Sequence, residues 1–314
     1  MNGLHELPER DLPPGRHHLL KEHLLTEIRQ SGATAAAPKK NSKIWFRPAL
    51  LAGAVAATVV AGVLVASPFG DRAAQAGPPS KETVRMLEEI AAAAKAQPAL
   101  KGVRDDQYVY IKSKSGYMAT EVSDEGEKSE IEPVRPREFW QSVDGLHDEM
   151  LHEPEGGFRY ERMEADPPLV EGDSHYRSLQ KLPTDPVNML DWLHKVSDGG
   201  KSEDQNTFVL VGDLSYESLM PPKQAAALYL AASKIPGVEL IKEAVDADGR
   251  HGVAIARVDD GIREELIFDK KTKQFLGERE VAVEDLPSGF KKGTVVGRSA
   301  VLERTVVDKL GERP

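Results

Sequence analysis

Residues 238–281 read VELIKEAVDADGRHGVAIARVDDGIREELIFDKKTKQFLGEREV. Short apolar runs recur along this stretch: Val238 to Ala244, Gly252 to Val258, Glu264 to Phe268 and Gln274 to Val281. They are separated by turn signals such as Asp248-Gly249 and Asp260-Gly261. An Asp-Gly pair between such runs marks a tight hairpin, because both central residues of the favoured turn need positive φ. The stretch therefore predicts consecutive antiparallel strands, and Gly293 to Val307 continues the series.

Helices precede this sheet: Pro186 to Lys195, Thr207 to Leu219 and Pro222 to Ser233, the last two divided by Pro221-Pro222. Earlier still, Gln107 to Lys112, Tyr117 to Val122 and Arg137 to Val143 alternate like strands between Gly, Asp and Glu turns. A further helix is signalled by Ser80 as its cap and runs through Ala96, with Val84, Leu87, Ala91 and Ala94 on one side. Strands, then helices, then strands predict an α+β domain over residues 80–314, a curved antiparallel sheet with helices packed on one face. No fixed-period repeat is present.

Ahead of that domain the sequence changes character. No residue between Arg47 and Asp71 is charged, and Ala49 to Ser67 (ALLAGAVAATVVAGVLVAS) is apolar or small throughout, bounded by Pro48 and Pro68. At helical rise such a segment covers about 30 Å, the thickness of a bilayer's hydrocarbon core. Lys39, Lys40, Lys43 and Arg47 flank its N-terminal end, with Trp45 and Phe46 at the interfacial position. The positive-inside rule then places residues 1–47 in the cytoplasm, residues 48–69 as a single transmembrane helix, 70–79 as a linker and the rest outside the cell membrane. Ala74-Gln75-Ala76 has the small-residue form of a signal-cleavage site, which keeps a secreted mature chain as the alternative. Against cleavage stand the length of the apolar segment and of the region before it. Gly53, Ala57 and Ala61, spaced by four, offer a close-packing stripe for a homodimer, a spacing that alanine-rich spans also show by chance.

Charge divides the same way. Residues 1–47 carry eight Lys or Arg against five Asp or Glu, and residues 71–314 carry 33 against 46, so the tail is +3 and the outer part −13. An acidic outer part repels phosphate backbones and anionic headgroups, which argues against direct nucleic-acid binding. The chain has no cysteine. Disulfides, thiolate metal sites and cysteine nucleophiles are thereby excluded.

Within the tail, Gly15 to Gln30 (GRHHLLKEHLLTEIRQ) follows Pro13-Pro14 and places Leu20, Leu24 and Ile28 on one stripe, widened by Leu19 and Leu25. A helix this short is marginal alone in water, so it predicts a binding partner through Leu20, Leu24 and Ile28, either a protein or the inner membrane surface. His17, His18 and His23 beside Glu22 read as a polar helix face, since no further ligand follows at zinc spacing.

Three motifs bear on chemistry. His147-Asp148-Glu149-Met150-Leu151-His152 has its histidines five apart, where a zincin helix needs four. Ser178-Leu179-Gln180-Lys181 matches the serine–lysine spacing of penicillin-binding enzymes, but Lys292-Gly293-Thr294 scrambles the companion motif and Pro183 points to a loop. Tyr108, Tyr110, Phe139, Trp140 and Trp192 fit either a ligand cleft or ordinary sheet packing, with packing the commoner use. No phosphate-binding glycine loop and no nucleophile elbow is found. The expectation is a protein that is not an enzyme, with no cofactor and no metal.

The tail Glu6-Leu7-Pro8-Glu9-Arg10-Asp11-Leu12-Pro13-Pro14-Gly15-Arg16-His17, with Leu20-Lys21-Glu22-His23-Leu24, resembles the opening of an actinobacterial family of uncharacterised single-pass membrane proteins. The likeness continues in Leu182 to Pro186, Leu219 to Ala232, Ile235 to Val238, Glu265 to Asp269 and Phe275 to Glu278. Members of that family are commonly encoded beside extracytoplasmic-function sigma factors, so the resemblance implies a regulatory role with a sigma factor docking on the tail. It carries no active-site residues. The lack of cysteine departs from zinc-containing anti-sigma domains. In architecture the outer part is also similar to lipoprotein-carrier and sigma-regulator domains, a likeness of fold that does not confer function. Two functional expectations follow: a membrane-anchored sensing or regulatory protein, or a tethered carrier for an apolar envelope ligand.

Overall fold

The computed structural model describes residues 76–123, 126–154, 158–165, 167, 172–197 and 201–314. In chain order they form α1 (Lys81–Ala96), β1 (Tyr108–Ser123), β2 (Gly126–Ile131), β3 (Arg135–Ser142), β4 (Glu149–Glu153) and β5 (Phe158–Met163). There follow α2 (Tyr176–Leu179), α3 (Pro186–Val196), α4 (Glu203–Glu217), α5 (Pro222–Ala232), β6 (Glu239–Val245), β7 (His251–Asp259), β8 (Ile262–Asp269), β9 (Phe275–Ala282) and β10 (Val295–Val307). The expected tail helix with Leu20, Leu24 and Ile28, and the apolar segment Ala49 to Ser67, lie outside the described residues. No helix among the described residues is long and apolar enough to cross a membrane.

The domain is α+β, as its element order predicts. All strand pairings are antiparallel, in the order β5-β4-β3-β1-β10-β9-β8-β7-β6, with β2 added to the far end of β1. The last strands form the predicted meander. Asp259 pairs with Ile262 across Asp260 (φ 46°) and Gly261 (φ 73°), the two positive-φ positions that a two-residue hairpin requires. The chain then returns through β10, which joins this half to β1 at the centre of the sheet.

Several elements differ from expectation. Gln107 to Lys112 and Tyr117 to Val122 are not two strands but one, because β3 and β10 flank β1 on both sides and carry the ladder through Ser113, Lys114 and Ser115. The strands β2, β4 and β5 are additional. Helix α4 starts at Glu203 instead of Thr207, with Ser202 in extended conformation before it and Glu203 and Asp204 in its first turn, where the positive end of the helix dipole favours them. Ser178 lies on the one-turn helix α2, not in a loop.

Helix α1 is capped as predicted, Ser80 Oγ accepting from Thr83 N at 3.1 Å. It packs with α3, α4 and α5 on one face of β7 and β8, where Leu87, Ile90, Leu193, Phe208, Leu228, Val253, Ile255, Leu266 and Phe268 share the main core. Phe268 meets Tyr229 and Phe275 edge to face, at centroid distances of 5.2 and 5.6 Å. Helix α4 is the central helix, buried on every side from Thr207 to Tyr216. Its approach to the sheet is set at Gly212, where a Cβ would lie 2.8 Å from both Glu278 Oε1 and a Leu266 methyl.

Candidate functional site

The motifs flagged in the sequence do not converge. His147 Nδ1 pairs with Asp144 Oδ1 at 3.0 Å while His152 Nδ1 pairs with Glu138 Oε2 at 2.8 Å, so the two histidines serve different partners. Among the described residues no group of His, Asp and Glu is arranged to hold a metal ion. Ser178 Oγ donates to Asp173 Oδ2 at 2.5 Å and makes no use of Lys181. The aromatic residues divide between packing roles. Tyr110 and Trp140 meet at a tilt of 48° with centroids 5.2 Å apart in one small core, and Phe139 joins Leu151 and Met163 in another.

Three polar clusters instead stand out. The first is centred on His175, in the approach to α2. Its Nδ1 meets Asp173 Oδ1, its Nε2 meets Glu149 Oε1 at 2.8 Å, and Glu149 Oε1 also accepts from Ser142 N at 2.9 Å. Gln141 Nε2 donates to Ser174 Oγ at 2.9 Å beside it. Burial alone would lower the imidazole pKa, but hydrogen bonds to Asp173 and Glu149 and their charges raise it to about 10. Burial would likewise raise Asp173, and the bonds from His175 and Ser178 hold it below the usual carboxylate range. With both ring nitrogens donating, the imidazolium has no lone pair to act as a base. Asp173, His175 and Ser178 thus share residue types with a hydrolytic triad but not its wiring. They fasten the start of β4 to α2.

The second cluster is a polar layer between α4 and the sheet. Arg257, 1% exposed, donates from Nη1 to Gln205 Oε1 at 2.8 Å and from Nε to Pro236 O at 3.0 Å. Gln205 Nε2 passes on to Glu264 Oε2 at 3.1 Å. Glu264 faces Glu280 in register, and Glu278 on the same strand accepts from Tyr117 OH at 3.2 Å. Arg304 closes the layer by donating to the carbonyls of Ser215 and Tyr216, where the negative end of α4 receives it. Burial pulls Arg257 below its ordinary value and brings Arg304 down to about 10.

The third cluster lies on the opposite face, where register brings Tyr110, Trp140 and Met150 into one row and Glu138 and His152 into the next. Glu138 is its hub. Tyr110 OH donates to Oε1 at 2.6 Å, and Arg313 spans both carboxylate oxygens at 2.7 Å each. Arg313 holds the Glu138 carboxyl down at about 2 against burial, with Tyr110 and His152 adding to the effect. The Arg313 guanidinium sits 5.5 Å from the Trp140 ring, His152 stacks on Tyr160 at 4.2 Å, and Trp140 Nε1 donates to Glu312 O. Neither Glu138 nor Arg313 was singled out by sequence. The alternation Glu138, Trp140 on β3 was legible, but its partners came from register and from a chain segment 175 residues away.

No protein-family profile matches the chain, and no curated protein matches it. Among solved structures, it is similar to the crystal structure of MucB at 13% identity and a TM-score of 0.24, covering 75% of this chain and 62% of that one. The crystal structure of MucB in complex with MucA(peri) gives 13% identity and a TM-score of 0.22, covering 71% of this chain and 56% of that one. The chain therefore spans less than two thirds of the length of either structure, and at these scores the likeness carries no argument about function.

Proposed function

We propose that this chain is a membrane-anchored regulatory protein. Its α+β domain lies outside the cell and senses a ligand or envelope state, and its N-terminal helix contacts a cytoplasmic partner such as a sigma factor through Leu20, Leu24 and Ile28. The observation that carries the reading is the fixed attachment of the chain where it enters the domain. Gly77 O accepts from Gly237 N at 2.9 Å, and Ala76 packs against Gly237 beside Arg257. Ser80 then caps α1, whose inner side packs into the main core with α5. A carrier needs only a loose tether, whereas a sensor needs its core mechanically joined to the segment leading to the membrane. The polar layer of Arg257, Gln205, Glu264 and Arg304 beneath α4 also differs from the apolar lining that an apolar cargo calls for.

Residues Met1 to Arg47 used as bait against a lysate of the source cells test this directly. The reading predicts capture of a sigma factor or another transcriptional regulator, lost when Leu20 and Leu24 are both Asp. Equal recovery with the substituted bait would count against it.

A further inference from the structure

The Glu138 cluster has the composition of a guanidinium receptor. One carboxylate accepts two parallel N–H bonds, an indole face lies beneath the cation, and a phenol edges it: Arg313 Nε and Nη2 on Glu138, its Cζ 5.5 Å from the Trp140 ring, and Nη2 3.5 Å from Tyr160 OH. Bidentate carboxylate pairing and stacking on an aromatic face are what distinguish arginine from lysine. The receptor is built by the sheet alone. Glu138 is oriented by Tyr110 on β1 and His152 on β4, and its side chain is only 12% exposed. The occupant is more accessible: the Arg313 side chain is 47% exposed and comes from a short segment after β10. That segment is held at Asp308, which accepts from Arg104 Nη2 at 3.0 Å and from Gln107 Nε2 at 2.7 Å, and at Glu312 O, which accepts from Trp140 Nε1. Leu310 packs with Tyr110 and Trp140, and Gly311 (φ 79°) lies against Met150, where a side chain would be strained and would meet the Met150 methyl at 3.0 Å. Tyr160, 59% exposed on the outermost strand β5, leaves the box open toward that edge of the sheet.

We propose that the box formed by Glu138, Trp140, His152 and Tyr160 is a binding site for an arginine-bearing segment of a partner protein, and that Arg313 occupies it in cis until such a segment displaces it. The domain's net negative charge draws in a basic segment. The resident arginine sets the threshold, since a competing segment binds only for the fraction of time the box is vacant. This goes beyond the tail-mediated reading and stands independently of it.

The test uses the chain and an acetylated peptide of residues 309–314, KLGERP, as the probe. Calorimetric titration of Arg313→Ala is expected to show binding roughly tenfold or more tighter than that of the unsubstituted chain, whose box is filled. Adding Glu138→Gln to Arg313→Ala should abolish it, and the peptide KLGEKP should bind markedly more weakly. Hydrogen exchange on the unsubstituted chain guards against a variant that fails to fold: excess KLGERP should speed exchange at residues 308–313 while β3 stays protected. Equal, absent or lysine-indifferent binding by Arg313→Ala, or unchanged exchange in residues 308–313, would show Arg313 to be a structural contact only and overturn the proposal.

Discussion

Replacing His175 by Gln removes a buried cation held between two carboxylates, and the structure sets the size and pH dependence of the effect. The folded-state pKa is about 10 against an ordinary value of 6.5. The side chain is only 13% exposed, so little of the shift is screened by solvent. A raised pKa stabilises the fold fully below the unfolded value, and the stabilisation is lost as pH rises through the folded one. Integrating over the two pKa values gives about 4 kcal/mol near pH 7 and a loss of about 3 kcal/mol between pH 6 and pH 9. Removing one partner of a buried ion pair commonly costs about 3–5 kcal/mol, in line with that figure. Urea unfolding of the native and His175→Gln chains across pH 6 to 9, followed by tryptophan fluorescence, reads the difference directly. The two stabilities should converge as pH rises. Parallel curves over this range would refute a charged His175 as the fastener of β4 to α2.

Three further outcomes are expected. Gly212→Ala forces α4 away from Glu278 and Leu266 and should destabilise the domain by about 1–3 kcal/mol in the same unfolding assay, with no displacement of the His175 pH dependence. Glu138→Gln should cost about 2–3 kcal/mol at neutral pH. Because the Glu138 pKa is depressed to about 2, its contribution is present above pH ~4.5 and fades as pH falls, so native and variant acid-unfolding curves should meet near pH 2. The chain lacks cysteine, so single cysteines at Ser42 and Lys95 report topology cleanly. A membrane-impermeant maleimide applied to intact cells should label the second and not the first.

The meander was legible because its hairpins are marked by Asp260-Gly261 and neighbouring turns, and because apolar runs such as Val253 to Ile255 and Leu266 to Phe268 recur between them. Strands β2 (GEKSEI) and β5 (FRYERM) were not, since at the rim of the sheet their charged side chains replace the alternation that identifies a half-buried strand. The polar run Lys112-Ser113-Lys114-Ser115-Gly116 reads as a turn, yet two flanking strands hold it extended, with Ser113 and Ser115 buried. The start of α4 was missed because its first turn, Glu203-Asp204-Gln205-Asn206, holds no apolar residue, and the apolar run begins only after it. Of the clusters, Asp173, His175 and Ser178 lie close in sequence, but their spacing does not reveal that Ser178 bonds Asp173 and that His175 reaches Glu149 on β4. The Glu138 box needed register, and the polar layer under α4 needed the packing of a helix on strands far away in sequence.

If the tail conveys the state of the outer domain to a cytoplasmic protein, as proposed, Leu20 and Leu24 are needed for the signal. The direct measurement compares the chain with a Leu20→Asp, Leu24→Asp variant in the source cells, reading partner co-purification and partner-dependent transcription together. Both are expected to change while membrane localisation and the fold of the outer domain persist. Unaltered co-purification and transcription in the variant would contradict the proposal.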